Sequence, residues 1–245
     1  MLKNAISITN LTVAYNQAPI LNNLNLHVQV GTLVAIVGPN GSGKTTLVQS
    51  IMGLLPSTGS ISIFDQPHHL QQHHIAYIPQ RSCVDWTFPL SVLDVVLMGR
   101  YSSLKFGQRP TMHDKEIATQ AIEQVNMSKY IHQPIGNLSG GQQQRIFLAR
   151  AIVQQAEIYI MDEPFVGIDM VTEKIMLDIF TQLQQQNKTI IVVHHDLTTV
   201  QKYFDFIFLM NRKEIASGPI ATTLTQENII KTFHTAIDFH DLHLL

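Results

Sequence analysis

Sulfur, charge and long apolar runs are all scarce in this chain. Cys83 is the single cysteine among 245 residues, so no internal disulfide framework can form, and such scarcity suits a reducing compartment. As a lone thiol, Cys83 reads as a small packed apolar residue rather than a reactive one. Charged side chains make up 14% of the residues and the formal net charge is −2, which leaves no basic field to recruit DNA or RNA. No apolar run approaches the roughly 20 residues of a membrane-spanning helix. The opening stretch MLKNAISITN also lacks the basic and apolar regions of a secretory signal. A chain that stays in the cytoplasm is expected. The length suffices for one large α/β domain, or for such a domain with an inserted subdomain, burying its core unaided.

What is present is concentrated in a few stretches. Gly38 to Thr46 reads GPNGSGKTT, preceded by the apolar run Leu33 to Val37 and followed by helically spaced apolar residues from Leu47 to Leu55. The context is therefore strand, glycine loop, helix. Gly41 and Gly43 let the backbone curl so that successive N–H groups converge, and a helix starting near Lys44 adds the positive end of its dipole. A polyphosphate fits such a cradle. Lys44 would reach its terminal phosphates, the Thr45 hydroxyl would take a position on Mg²⁺, and Thr46 would add a phosphate contact.

Ahead of this loop, Ile6 to Tyr15 and Leu24 to Val30 alternate as two strands of an antiparallel lead-in sheet. Tyr15 stands at a strand end, where an aromatic face can cover an adenine ring or simply fill core. After the loop helix, Gly59 to Phe64 and Ile75 to Ile78 read as short strands joined by PHHLQQHH. His68, His69, His73 and His74 lack cysteine or carboxylate companions at fixed spacing and read as a solvated connection, as do His234, His240 and His243 near the end. Gln80 follows a strand end and could place its amide oxygen on a metal or a water. From Cys83 to about Val153 the pattern turns helical, over Val92 to Met98, His113 to Val125 and Gln143 to Val153, with a loop at Phe106 to Thr111.

Just before the last of these helices stands Leu138 to Gln142, LSGGQ. Ser139 can cap the helix, while Gly140 and Gly141 leave its first N–H groups bare for a second anion. Ile158 to Met161 then reads as a strand buried in a parallel sheet, delivering Asp162 and Glu163 at the edge where open α/β sheets bind ligands. Adjacent carboxylates in a strand-end turn point differently, so Asp162 suits the Mg²⁺ shell and Glu163 an attacking water. Gly167 to Asp169, a helix from Val171 to Gln186 and the strand Thr189 to Val193 follow. That strand ends at His194 and His195. Of the two, His195 is the candidate for a γ-phosphate contact, and His194 packs or faces solvent. A hairpin over Phe206 to Met210 and Lys213 to Ala216 precedes a short helix from about Leu224.

GPNGSGKTT, Gln80, LSGGQ, IYIMDEP, Asp169 and His195 stand in the order and spacing of the ATP-binding subunits of ABC transporters, which the chain resembles over nearly its whole length. The resemblance implies a phosphate-loop NTPase core of RecA-like α/β type with an antiparallel lead-in sheet and an inserted helical subdomain. The core would comprise residues 1–82 and 154–245, and the subdomain 83–153 would carry LSGGQ. It further implies ATP and Mg²⁺ as cofactors. Tyr15 would stack on adenine, and Gly38, Pro39, Asn40, Gly41, Ser42, Gly43, Lys44, Thr45 and Thr46 would hold the phosphates. Ser139, Gly140, Gly141 and Gln142 would bind the ATP of a partner. Thr45, Gln80 and Asp162 would serve Mg²⁺, and Glu163, His195, Gln80 and Lys44 would serve catalysis. Asp169 matches the loop that crosses the dimer, although Val166-Gly167-Ile168 departs from the usual lead-in.

Members of the family work as head-to-tail pairs, and here the second phosphate motif has no second phosphate loop in its own chain. The implied partners are a second copy, integral-membrane permease subunits and, indirectly, an extracytoplasmic solute-binding protein, with no nucleic acid. The chain would then lie peripherally on the inner face of the membrane. Arg81 to Tyr101 is the expected docking surface, with Trp86 and Phe88 reading equally as partner contacts or as core. Val84-Asp85-Trp86, Phe88-Pro89, Asp94-Val95-Val96 and Gly99-Arg100-Tyr101 look like the manganese, zinc and iron importers. Related patterns occur in importers of siderophore, haem or cobalamin-type chelates, the alternative cargo. An ATPase of this family acting on nucleic acid or the ribosome is disfavoured by the single cassette and the lack of a heptad run or basic stripe.

Overall fold

A computed structural model describes residues 3–15, 18–105 and 107–234, with Tyr15 described by its backbone alone. Phe106, His240 and His243 lie outside the described residues. Among the described residues ten strands run in chain order: β1 Asn4–Tyr15, β2 Ala18–Gln29, β3 Leu33–Val37, β4 Thr58–Ile63, β5 Gln66–Pro67, β6 Ile75–Ile78, β7 Ile158–Asp162, β8 Thr189–His194, β9 Phe206–Met210 and β10 Glu214–Pro219. The helices are α1 Lys44–Ile51, α2 Val92–Leu97, α3 Met112–Gln124, α4 Gly140–Ile152, α5 Met170–Gln185, α6 Leu197–Tyr203, α7 Ile220–Thr223 and α8 Gln226–Phe233.

The strands form two sheets. The four-stranded one, in the order β2-β1-β4-β5, is antiparallel. The six-stranded one has the order β10-β9-β3-β8-β7-β6 and is parallel except for β10 at its edge. The two strands around the histidine-rich connection therefore part company, β4 joining the lead-in sheet and β6 closing the edge of the main one.

The six-stranded sheet is the middle layer, which explains why β3 and β7 are buried at every position. Side chains alternate across it with the period of two that a strand imposes. Val34, Ile36, Ile158, Ile160, Ile191 and Val193 face the lead-in sheet and α1. Ala35, Val37, Tyr159, Met161, Ile190 and Val192 face the helices, including α4 and α5. Each fully buried valine, leucine or isoleucine contributes on the order of 1.5–3 kcal/mol. Helices α2, α3 and α4 pack on one another and share that second cluster with the sheet. Their starts are chemically fixed: Ser91 with Asp94, Thr111 with Asp114, and Ser139 with Gln142 each form a reciprocal capping box.

Cys83 departs from the sequence reading. It is exposed in the short helical turn Arg81–Cys83, because that turn follows the sheet edge and stays on the surface instead of entering the core. Trp86 is half-buried with its ring 5.0 Å from that of Phe147, whereas Phe88 is 61% exposed. The two aromatics thus divide between packing and surface.

At Gly99 the backbone packs directly against the end of α4. A Cβ there would sit 2.2 Å from the carbonyl oxygen of Arg150 and 2.5 Å from Cγ2 of Val153, so α4 would have to retreat. Gly99→Ala is expected to destabilise the fold by about 1–3 kcal/mol, the usual range for overpacking, read as a lower urea midpoint at unchanged slope.

Candidate functional site

Everything at the site hangs on the carboxyl edge of the main sheet. Val37 of β3 lies beside His194 of β8, and Val193 lies beside Asp162 of β7. The segments that continue from these strands therefore start at one level, the edge at which open α/β sheets hold ligands.

From β3 the chain enters the glycine loop. Gly41 and Gly43 have φ of +76° and +95°, left-handed values that most side chains resist. Gly38 has no room for a side chain, since a Cβ would lie 2.1 Å from the Met210 carbonyl oxygen. The loop curls around its own lysine: Lys44 Nζ donates to the carbonyls of Gly38 at 2.8 Å and Pro39 at 3.0 Å. Lys44 is buried, and burial lowers its pKa against the opposing pull of Glu163 and Asp162. Among the described residues it forms no ion pair. An ammonium in this state gains from any anion that enters.

Asp162 faces the mirror-image situation. It is buried, and burial raises its pKa while a hydrogen bond from the Thr45 hydroxyl and the charge of Lys44 work the other way. Its Oδ1 is buried with no hydrogen-bond partner among the described residues. A bare carboxylate oxygen beside a hydroxyl is the hard-oxygen donor set that Mg²⁺ prefers. These residues therefore fit that cation.

Glu163 leaves the strand in a different direction because its φ is +50°. A left-handed conformation in a residue other than glycine costs of order 1–3 kcal/mol and clusters at functional sites. Its Oε2 accepts a 2.8 Å hydrogen bond from Gln80 Nε2. Asn40, Gly41, Gly43, Lys44, Thr45, Thr46 and Glu163 line one cavity of about 420 Å³. Ser139, Gly140, Gly141 and Gln142 do not line it. Ser139 is exposed at the start of α4, where it accepts from Gln142 N–H at 3.4 Å and its own N–H donates to Gln142 Oε1 at 2.8 Å. Asp169 caps α5 through Thr172.

At the end of β8 the two histidines have separate fates. His195 is exposed. His194 is buried beneath Phe165 and Phe204, with ring centroids 5.0 and 5.9 Å away. Burial pulls its pKa down to about 4, so it is neutral near pH 7. Tyr15 closes β1, and its side chain lies outside the described residues.

Two arginines at the site had no motif to announce them. Arg212, in the β9–β10 turn, lines the cavity and donates its backbone N–H to the Ser42 carbonyl at 2.9 Å. Arg81 donates from Nε to Gln143 Oε1 at 2.9 Å and lays its guanidinium beside Gly140, on the first turn of α4. Only the adjacency of Arg81 to Gln80 hinted at its place. Nothing in the sequence singled out Arg212, whose position depends on the hairpin returning to the loop.

Against known proteins, the family model described as ABC transporter matches residues 21–166. The manganese transport system ATP-binding protein MntB of Bacillus subtilis is 47% identical over 235 residues, 96% of this chain and 94% of that protein. The zinc transport system ATP-binding protein TroB of Treponema pallidum is 46% identical over 230 residues, 94% of this chain and 86% of that protein. Among solved structures, an ABC transporter of proposed metal-chelate type in an inward-facing conformation superposes with a TM-score of 0.85 at 30% identity, covering 96% of this chain and 90% of that one.

The buried histidine makes a pH prediction. Its pKa is about 4 in the folded chain against about 6.5 in an unfolded one. The unfolded state therefore binds the extra proton between those values, and the stability His194 contributes is full above about pH 6.5 and lost as pH falls towards 4. Urea unfolding of wild type minus that of His194→Asn is expected to shrink by about 3 kcal/mol from pH 7 to pH 4.

Proposed function

We propose, from the premise that this chain belongs to the ABC transporter family, that two copies of it drive the import of a transition-metal cation. The chain is an ATP-binding and ATP-hydrolysing subunit of such a transporter. The observation that carries the catalytic part is the meeting of Lys44, Thr45 and Glu163 in one cavity, with Gln80 hydrogen-bonded to Glu163.

In this reading the γ-phosphate of ATP replaces the Gly38 and Pro39 carbonyls as partner of Lys44, and the bare N–H groups of the glycine loop take the remaining oxygens. Thr45 and Asp162 would hold Mg²⁺, with the Gln80 amide oxygen as a further donor, and the cation would supply neutralisation of charge on the β and γ phosphates. Glu163 orients a water and accepts its proton, and His195 supports the charge of the transition state.

The chain's own LSGGQ motif does not line the cavity. A head-to-tail pair brings the motif there, Ser139 to Gln142 of one copy covering the loop of the other. Exposed apolar side chains around Asp169, with Val166 at 42%, Met170 at 85% and Val171 at 70% exposure, support a contact between copies there. Residues 83–153 then act as a unit against the remainder. A groove of about 460 Å³ lined by Pro79, Cys83, Trp86, Phe88 and Met98 is the seat for a short helix of an integral-membrane permease subunit, which keeps the chain peripheral on the inner face of the membrane. An extracytoplasmic solute-binding protein reaches it only through that permease.

Manganese or zinc is favoured as cargo by 47% and 46% identity, over nearly the whole chain, to ATP-binding proteins of manganese and zinc transport systems. A metal chelate is the second reading, carried by the likeness to a transporter of proposed metal-chelate type. Growth of a deletion strain rescued by single added metals, against rescue by a chelate alone, separates the two.

Glu163→Gln is expected to bind ATP with unchanged affinity while kcat falls by about 10²–10⁴, the usual contribution of a general base. Turnover at the wild-type rate would remove Glu163 from that role. Phe88→Glu is expected to leave ATPase activity of the isolated chain unaltered and to abolish its co-purification with the permease. Intact assembly and transport would remove the groove from the docking surface.

A further inference from the structure

We infer that His194 is a positioning residue for ATP turnover, its ring Nδ1 fixing the turn that presents His195. The inference rests on the reading that His195 acts on the nucleotide.

His194 is the last residue of β8 and is 3% exposed. Its Nδ1 accepts two backbone hydrogen bonds, from the N–H of His195 at 2.9 Å and of Asp196 at 2.9 Å. A nitrogen that accepts cannot carry a proton, so the neutral ring is protonated on Nε2. That second nitrogen is buried with no partner among the described residues. A side chain serving only to fill space would carry neither nitrogen and leave no buried donor unpaired. The bonds at Nδ1 are therefore what a histidine contributes here.

The grip is local and complete. Asp196, the next residue but one, accepts from the N–H groups of Thr198 and Thr199 at the start of α6. His195 thus lies between a residue locked into the strand end and one locked onto a helix cap, while its own side chain remains exposed. The ring of His194 also packs against Phe165, two residues beyond Glu163. One imidazole therefore braces the turn of His195 and touches the turn that carries the carboxylate.

The test uses the full chain with ATP and Mg²⁺. His194→Asn places an amide oxygen near the position of Nδ1 and is expected to turn over close to the wild-type rate. His194→Gln has the same polarity but carries its oxygen one bond further, and is expected to lose on the order of tenfold to a hundredfold in kcat, as displaced catalytic groups do, with KM for ATP unchanged. Equal kcat for the two variants overturns the inference. Should a variant fail to fold, ¹⁵N spectra of histidine-labelled wild type decide: a ring protonated on Nε2 supports the inference, and one protonated on Nδ1 overturns it. His195→Ala separates the two levels. If it turns over normally, the reading of His195 falls and this inference with it; if it is impaired while Asn and Gln at 194 match, only the inference falls.

Discussion

A buried ammonium held by two backbone carbonyls sets the terms for the rest of the molecule. Lys44 is drawn into its own loop by Gly38 and Pro39, and burial works against its charge. Across from it, Asp162 keeps one oxygen bare, and burial works against that charge as well. Each group lacks what ATP and its cation would bring. The parallel register of β3, β8 and β7 makes this possible, because it starts the loop, the histidine turn and the carboxylate turn at one level. Covering both faces of that sheet fixes the register, since a slip of one residue would send its alternating side chains to the wrong core.

The site is also wired to the surfaces that must respond to it. Gln80 bonds Glu163, and Arg81 beside it bonds Gln143 on the helix that LSGGQ begins. The Arg81 carbonyl in turn accepts from Trp86 Nε1 at 3.0 Å, and Trp86 lines the apolar groove. A nucleotide that takes Glu163 away from Gln80 would therefore disturb a contiguous set of contacts leading both to α4, the signature helix that LSGGQ opens, and to the proposed permease seat. Gln144, bonded to the Pro164 carbonyl at 3.1 Å, ties the same helix to the turn after Glu163. These bonds are a physical route by which two sites can bias one element, which is what coupling requires.

Much of this was legible from residues alone, because motif, strand pattern and helix cap report local chemistry. The glycine loop, the buried strand ahead of Asp162 and Glu163 and the cap at Ser139 all follow from short-range rules, whereas the choice between packing and solvent for His194 does not. What escaped depends on distant segments meeting. Arg212 reaches the cavity only because the β9–β10 turn folds back onto Ser42. Arg81 meets Gly140 across the boundary of the helical segment. Cys83 looked like core filler, yet its turn runs over the surface, and composition carries no information about which way a turn faces.

The central claim is that each ATP is closed in by the loop of one copy and the signature helix of another. Two populations of the Glu163→Gln chain, both with Cys83→Ser, test it directly: one carries Asn40→Cys in the glycine loop, the other Asn137→Cys just ahead of Ser139. With a short thiol-to-thiol crosslinker, ATP is expected to join the two populations efficiently, and its omission to leave them apart. No crosslink with ATP, or the same yield without it, would contradict the account.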